Sequence, residues 1–183
     1  NITQVTYPSG RLVSYSYDAE GRIEGITTQE NAQAGIDTVV SNVAYVPFGP
    51  IQSYTYGNGM TQTMSYDQDY RITDIEALGT NTILDLNYGY DPNSNITTLA
   101  DQDNTAYTQN FDYDKINRLT DADGNYGELD YQYDAVGNRT QKITTEGPSV
   151  TTETYTYGAT SNQLNQVVID DGTTQTQRLF QYD

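Results

Sequence analysis

The residue types that carry nucleophilic catalysis are missing from this chain. Its 183 residues include no His and no Cys, which removes Ser-His-Asp and Cys-His machinery, thiolate metal sites and disulfides together. A Ser-Lys pair would need Lys115 or Lys142, and neither lies in a recognisable motif. Asp and Glu number 25, so close carboxylate pairs arise by abundance alone and do not mark a glycosidase. Tyrosine and arginine suit a polysaccharide lyase, but no spacing marks the cleft that acid-base chemistry needs. These residues point away from an enzyme.

Two other chemistries stay open on residue types. Asp121-Ala122-Asp123-Gly124-Asn125 and Asp101-Gln102-Asp103-Asn104 resemble halves of oxygen-rich calcium loops. Counted from Asp121, however, the twelfth residue is Gln132, where the full loop needs a bidentate Glu. Asp121, Asp123 and Asn125 therefore stand as a weak Ca2+ candidate, with turn formation the favoured purpose, and no other cofactor is implied. The second chemistry is sugar binding on aromatic faces, for which Tyr15, Tyr88 and Tyr131 are the candidate contacts. The competing reading, that the rings form the core, is favoured because tyrosine supplies most of the large apolar area. Asn1-Ile2-Thr3, Asn95-Ile96-Thr97 and Asn138-Arg139-Thr140 match the glycosylation sequon, a match that an Asn- and Thr-rich chain produces by chance.

The elements that must position these residues follow from composition and period. Hydrophobic residues make up 35% of the chain and mean hydropathy is −0.71, which leans toward disorder. Eighteen Tyr, against three Phe and no Trp, argue against that and predict a thin core of phenol rings whose hydroxyls need partners. A net charge of −17 repels nucleic acid and anionic lipid. No apolar run approaches the roughly 18 residues of a membrane-spanning helix.

A motif recurs: aromatic-x-Tyr-Asp-x-x-(Gly/Asn)-(Arg/Asn)-(Ile/Leu). Its fullest copy is Tyr15-Ser16-Tyr17-Asp18-Ala19-Glu20-Gly21-Arg22-Ile23, and others place Asp67, Asp91, Asp114 and Asp134 in the same slot. The steps from Asp67 onward are 24, 23 and 20 residues. The two intervals of 49, from Asp18 to Asp67 and from Asp134 to Asp183, hold degenerate copies at Tyr54-Thr55-Tyr56-Gly57 and Tyr155-Thr156-Tyr157-Gly158. Each copy reads as strand, tight turn and returning strand. Aromatics at i and i+2 share one strand face, Asp accepts turn N–H groups, and Gly21, Asn117 or Gly137 supplies the left-handed residue of a type I turn with a bulge. Tyr70 and Ser94 fill that slot without glycine's freedom, so their turns are expected to be strained or differently built. Arg22, Arg71, Arg118 and Arg139 follow the turns and read as local clamps, a ligand-binding ridge being the alternative. Alternating Thr, Tyr, Val and Ile fill the intervening strands. Glu30–Gly35 is the best helical stretch, and it reads as a connecting loop. The chain is expected to be all-β, a single array over 1–183.

These hairpins, with Val46-Pro47-Phe48-Gly49-Pro50 and Tyr56-Gly57-Asn58-Gly59-Met60, resemble the bacterial Rhs/YD-repeat proteins, which are related to the C components of Tc toxins and to teneurin ectodomains. The resemblance covers nearly the whole chain. It implies a spiral of stacked antiparallel β-hairpins, a shell or open curved sheet, that encloses a C-terminal effector within a secreted or cell-surface bacterial protein. The partners it implies are the rest of the parent chain and that effector, with a glycan or cell-surface partner as the alternative. The plug and aspartyl self-cleavage region of Rhs toxins have no counterpart here. The sequence lacks an initiator Met and stops inside a motif at Phe180-Gln181-Tyr182-Asp183, so a fragment of a larger protein is expected, with uncapped sheet edges at its ends.

Overall fold

A computed structural model describes residues 1–182; Asp183, expected to open a further turn, lies outside them. The chain is all-β, as expected. Sixteen strands follow one another with hydrogen-bonded order equal to sequence order, and one 3-10 turn, Thr105–Tyr107, is the only helical element among the described residues. The strands fall into two compact units, residues 1–88 with 101–103, and 89–100 with 104–182.

The first unit holds β1 (Gln4–Thr6), β2 (Leu12–Tyr17), β3 (Ile23–Gln29), β4 (Asp37–Tyr45), β5 (Ile51–Tyr56), β6 (Thr61–Tyr66), β7 (Ile72–Leu78) and most of β8 (Thr82–Tyr90). Residues directly opposite each other share a sheet face. One face therefore carries the row Tyr15, Ile26, Val40, Tyr56 and the row Met64, Ile75, Leu86. The other face carries Thr63, Glu76, Asp85 and Ser65, Asp74, Asn87. The stretch 30–36 is a loop turned by Ala34 N–H to the Asn31 carbonyl, 3.1 Å.

The second unit holds β9 (Ile96–Asp101, all but its last residue), β10 (Gln109–Tyr113), β11 (Leu119–Gly124), β12 (Gly127–Tyr133), β13 (Arg139–Glu146), β14 (Ser149–Tyr157), β15 (Leu164–Asp170) and β16 (Gln175–Leu179). Its apolar face runs Phe111, Ala122, Leu129, and beside that Tyr155, Val167. Ala77, Ala122 and Val167 are the only buried hydrophobic residues among the described residues, and no large side chain is fully buried. One layer of sheet covers little, and tyrosine rings half-buried along the strands do most of the remaining work.

One turn geometry recurs. In the hairpin turn opened by Asp18, the Asp18 N–H donates to the Arg22 carbonyl and the Gly21 N–H to the Asp18 carbonyl, at 2.9 and 3.0 Å, and Gly21 is left-handed at φ +82°. The turns at Asp67, Asp91, Asp114 and Asp134 repeat both bonds, with Tyr70, Ser94, Asn117 and Gly137 at φ +59°, +69°, +62° and +96°. The Tyr70 and Ser94 turns are thus strained and not differently built. Each of the motifs whose flanking strands both pair in register shows a β-bulge at its tyrosine, as between Ser16 and Tyr17 or Gln132 and Tyr133.

One of the two degenerate copies needs correction. At Tyr54–Gly59 the turn opens at Tyr56, whose N–H donates to the Met60 carbonyl, with Gly59 left-handed. Successive hairpins put their turns on alternate sheet edges, and this one lies on the edge opposite Asp18 and Asp67. The copy that fills the long interval is Val46–Pro50, where Val46 N–H donates to the Pro50 carbonyl and Phe48 takes φ +56°. Gly57 instead allows a close approach: its N–H donates to the Val39 carbonyl, and a Cβ there would collide with the Thr38 carbonyl oxygen. The Gly158 copy does open a turn, one residue longer than the rest, closing on the Gln163 carbonyl.

Phe48 combines a left-handed backbone with a fully exposed ring. Phe48→Gly is expected to stabilise the chain by roughly 0.5–1 kcal/mol, the relief of left-handed strain less the entropy glycine adds to the unfolded chain. Thermal or urea unfolding reads this directly; an unchanged or lowered midpoint contradicts it.

Candidate functional site

The feature that recurs with chemical regularity is the clamp at each Asp turn. One carboxylate oxygen accepts two backbone N–H groups. For Asp114 these are Ile116 and Arg118, both at 3.0 Å, and for Asp91 they are Asn93 and Asn95 at 2.8 and 2.9 Å. The second oxygen accepts from the side chain four residues on. Arg22, Arg71 and Arg118 supply Nε at 2.8, 2.7 and 2.6 Å to Asp18, Asp67 and Asp114. Asn95 and Asn138 supply Nδ2 at 2.8 Å to Asp91 and Asp134. An ionised carboxylate has lone pairs for all three donors, which no neutral side chain of that length offers.

The charge on these carboxyls is stabilised accordingly. At Asp114 the Arg118 backbone N–H, outweighing shallow burial, holds the carboxyl below the usual range, helped by the Arg118 guanidinium and the Ile116 N–H. At Asp18 and Asp67 desolvation pushes upward and is outweighed by the bonds from Arg22 and Arg71. At Asp134 the same balance is tipped by the side chain and N–H of Asn138.

Arg139 differs from the other three arginines. Asn138 occupies the clamp slot, so Arg139 is displaced by one residue and makes no clamp to Asp134. Its guanidinium lies 4.5 Å from the Tyr155 ring centroid and 5.6 Å from that of Tyr131, and Nη2 donates to the Tyr155 hydroxyl at 2.8 Å. Burial, together with the Glu153 carboxylate that accepts the Tyr155 hydroxyl, pushes that phenol up to about 12. Lys142 completes the cluster, 3.3 Å from Glu153.

The clamp reaches the next hairpin through tyrosines that precede several of the turns. Tyr45 donates to the Ile23 carbonyl at 2.8 Å and Tyr66 to the Ile51 carbonyl at 2.6 Å. In the second unit Tyr133 donates to Leu119, Tyr157 to Arg139 and Tyr182 to Leu164, at 2.8, 2.9 and 3.0 Å. The acceptor is in every case the carbonyl just past the preceding turn on the same edge. The arginine of the preceding clamp covers the same ring, Arg22 over Tyr45 at 4.4 Å and Arg118 over Tyr133 at 4.6 Å. Arg118 Nη1 also donates to the Asp134 carbonyl at 3.0 Å, and Asn138 Nδ2 to Asn162 at 3.2 Å. Asp, Arg and Tyr thus form one unit, in which Asp shapes its own turn and Arg and Tyr tie it to the next.

The sugar-contact candidates are separated: Tyr15 and Tyr88 lie on β2 and β8, and Tyr131 lies on β12, beneath Arg139. The metal candidates also part. The carboxylates whose oxygens lie within 4.8 Å of one another are Asp121, Glu128 and Asp130, whereas Asp123 accepts from Asn110 Nδ2 at 2.9 Å and Asn125 lies in the turn between β11 and β12. The register puts Asp112 opposite Asp121, Asp121 opposite Asp130 and Asp123 opposite Glu128. Burial and then these like charges push the Asp121 carboxyl up. Sequence reasoning missed both this row and the tyrosine ties. The invariable Tyr before Asp was the available signal for the ties, since a half-buried hydroxyl requires a partner.

Three outcomes follow. Tyr133→Phe should cost about 1 kcal/mol of unfolding free energy through the bond lost at Leu119, and no loss contradicts the tie. Asp114→Asn should melt below the parent at pH 7. A depressed carboxyl gives its stabilisation above the ordinary carboxylate range and loses it as pH falls through the depressed value, so the gap should close below about pH 4. A pH-independent gap would count against an ionised clamp. Asp121→Asn should raise stability at pH 7 by a few tenths to about 1 kcal/mol, and by less at low pH and high salt; destabilisation would show that the opposed carboxylates are held by contacts other than those found.

The family model described as RHS Repeat matches residues 1–33. No curated protein matches the sequence. Among solved structures, TcdB2-TccC3-Cdc42 aligns over 98% of this chain at TM-score 0.78 and 17% identity, and TcdB2-TccC3 over 98% at 0.72 and 16%. The Tc holotoxin pore of Photorhabdus luminescens, carrying a TccC3 substitution, aligns over 98% at 0.71 and 16%. This chain spans about 12% of the length of each of those chains. At such identities the likeness is one of fold, while the RHS match adds the sequence signature at the start of the array. The RHS Repeat signature is thus found over residues 1–33, and over the rest of the chain the likeness to these structures is one of fold.

Proposed function

We propose that the chain is a structural segment of an Rhs/YD-repeat shell, one continuous array over 1–183 within a longer bacterial secreted or surface protein, which scaffolds or encloses an effector domain and has no catalytic activity of its own. The observation that carries this reading is the clamp. Its Asp, Arg and Tyr groups, the polar residues that recur most regularly, are spent on holding one hairpin to the next. Groups so engaged are not free to act on a substrate, and a wall built of repeated joints is what enclosure requires. The similar structures include a Tc holotoxin pore and a TcdB2-TccC3 complex, which supports placing this segment in a protein of that kind.

Limited proteolysis of the full-length parent tests the reading. The segment following the repeats should resist protease in the intact protein and become sensitive when Arg118→Ala and Tyr133→Phe are combined to loosen adjacent hairpins. Digestion of that segment at the same rate in the intact protein as when expressed alone contradicts enclosure.

A further inference from the structure

One joint of the first unit departs from the others. Elsewhere the residue in the clamp slot reaches the next turn on the same edge. Arg22 and Arg118 lie over Tyr45 and Tyr133, 4.4 and 4.6 Å from the ring centroids, while Asn95 and Asn138 donate to Asn117 and Asn162 at 2.8 and 3.2 Å. At the Val46 turn that slot holds Pro50, whose side chain has neither a guanidinium nor an amide to offer. The Tyr66 hydroxyl still makes its tie to the Ile51 carbonyl. Beside the Tyr66 ring, however, opens a hollow of about 480 Å³, lined by Val46, Gln52, Met64, Tyr66, Asp67 and Tyr70 among others. Tyr70 closes one side: its hydroxyl donates to the Pro47 carbonyl at 3.0 Å, and its ring lies so near Gly49 that a Cβ there would collide with it.

The lining fits one kind of occupant. Val46 and Met64 offer apolar walls to an alkyl stem, and the two tyrosines offer ring faces to a cation. A carbonyl acceptor is also in place. In the second unit the Asp134 carbonyl accepts both the Gly137 N–H and Arg118 Nη1; the Asp67 carbonyl, its equivalent here, accepts the Tyr70 N–H and has a second lone pair for the same use. No Lys or Arg is among the lining residues, and Asp69, exposed on the same turn, adds a carboxylate at the rim. We propose that this hollow takes an arginine side chain from another polypeptide, laid over Tyr66 and donating to the Asp67 carbonyl, in the role that Arg118 fills for Tyr133. Lysine fits less well, because a compact ammonium cannot cover a ring and keep a planar fork of donors. A basic partner segment also complements the net charge of −17. This contact is made from outside the array and does not depend on what the array encloses.

The test is amide NMR of the whole chain titrated with the peptide acetyl-Gly-Arg-Gly-amide, and separately with its lysine and citrulline counterparts. The arginine peptide should give saturable shifts confined to amides around Val46, Gln52, Met64, Asp67 and Tyr70, with millimolar affinity. The lysine peptide should bind several-fold more weakly, and the citrulline peptide, equal in shape but uncharged, should give no shift. Val46→Asp combined with Pro50→Arg rebuilds the clamp, so that the chain's own side chain fills the hollow and the peptide shifts disappear. The peptide comparison on the parent chain decides the matter even if that double variant does not fold. The proposal is overturned by no saturable shift with the arginine peptide, by an equal response to lysine or citrulline, by shifts spread over the acidic surface, or by a folded double variant that binds the peptide like the parent.

Discussion

The whole arrangement depends on one hydrogen bond, from the tyrosine hydroxyl before a turn to the carbonyl past the preceding turn on the same edge. A sheet a single layer thick has almost no interior, and Ala77, Ala122 and Val167 are the only buried residues among those described. Stability has to come from groups that hide apolar area and satisfy a backbone carbonyl at the same time. Tyrosine does both, since its ring fills the space between hairpins and its hydroxyl meets a strand-end oxygen that would otherwise face the ring unpaired. This accounts for 18 Tyr against three Phe.

The aspartate-arginine pair depends on that bond in turn. On its own a partly exposed ion pair contributes little. Here the carboxylate organises a turn with two backbone N–H groups, and the arginine it orients lies over the tyrosine that ties the next hairpin. The pair positions the tie. On the polar face of the second unit the register sets like charges against each other, with Asp112 opposite Asp121 and Asp121 opposite Asp130.

Much of the fold was legible in the sequence because Tyr-Asp and Gly, Asn or Arg sit at fixed offsets that only a bulged type I hairpin satisfies. The array, its period and the turns at Asp18, Asp114 and Asp134 follow from those letters. The Val46 turn was hidden because its first residue carries no carboxylate and its second proline and phenylalanine give no turn signature of the same kind; the nearby Tyr-Gly-Asn-Gly string, richer in turn residues, drew the assignment to the opposite edge. Spacing alone cannot tell alternate edges apart, whereas the tyrosine ties can. Arg139 looked equivalent to the other arginines because the motif tolerates Asn or Arg in its clamp slot, and one residue of offset changes a clamp into a stack. The opposed acidic rows depend on strand register, which no single strand's sequence reports.

The central claim is that adjacent hairpins are coupled through arginine and tyrosine. A double-mutant cycle on Arg118→Ala and Tyr133→Leu, read by urea unfolding, tests it most directly. Coupling through the stacked pair predicts an interaction energy of about 0.5–2 kcal/mol between the two sites. Effects that add to within about 0.3 kcal/mol would mean that each side chain acts within its own hairpin, and that the joint described here does not hold the array together.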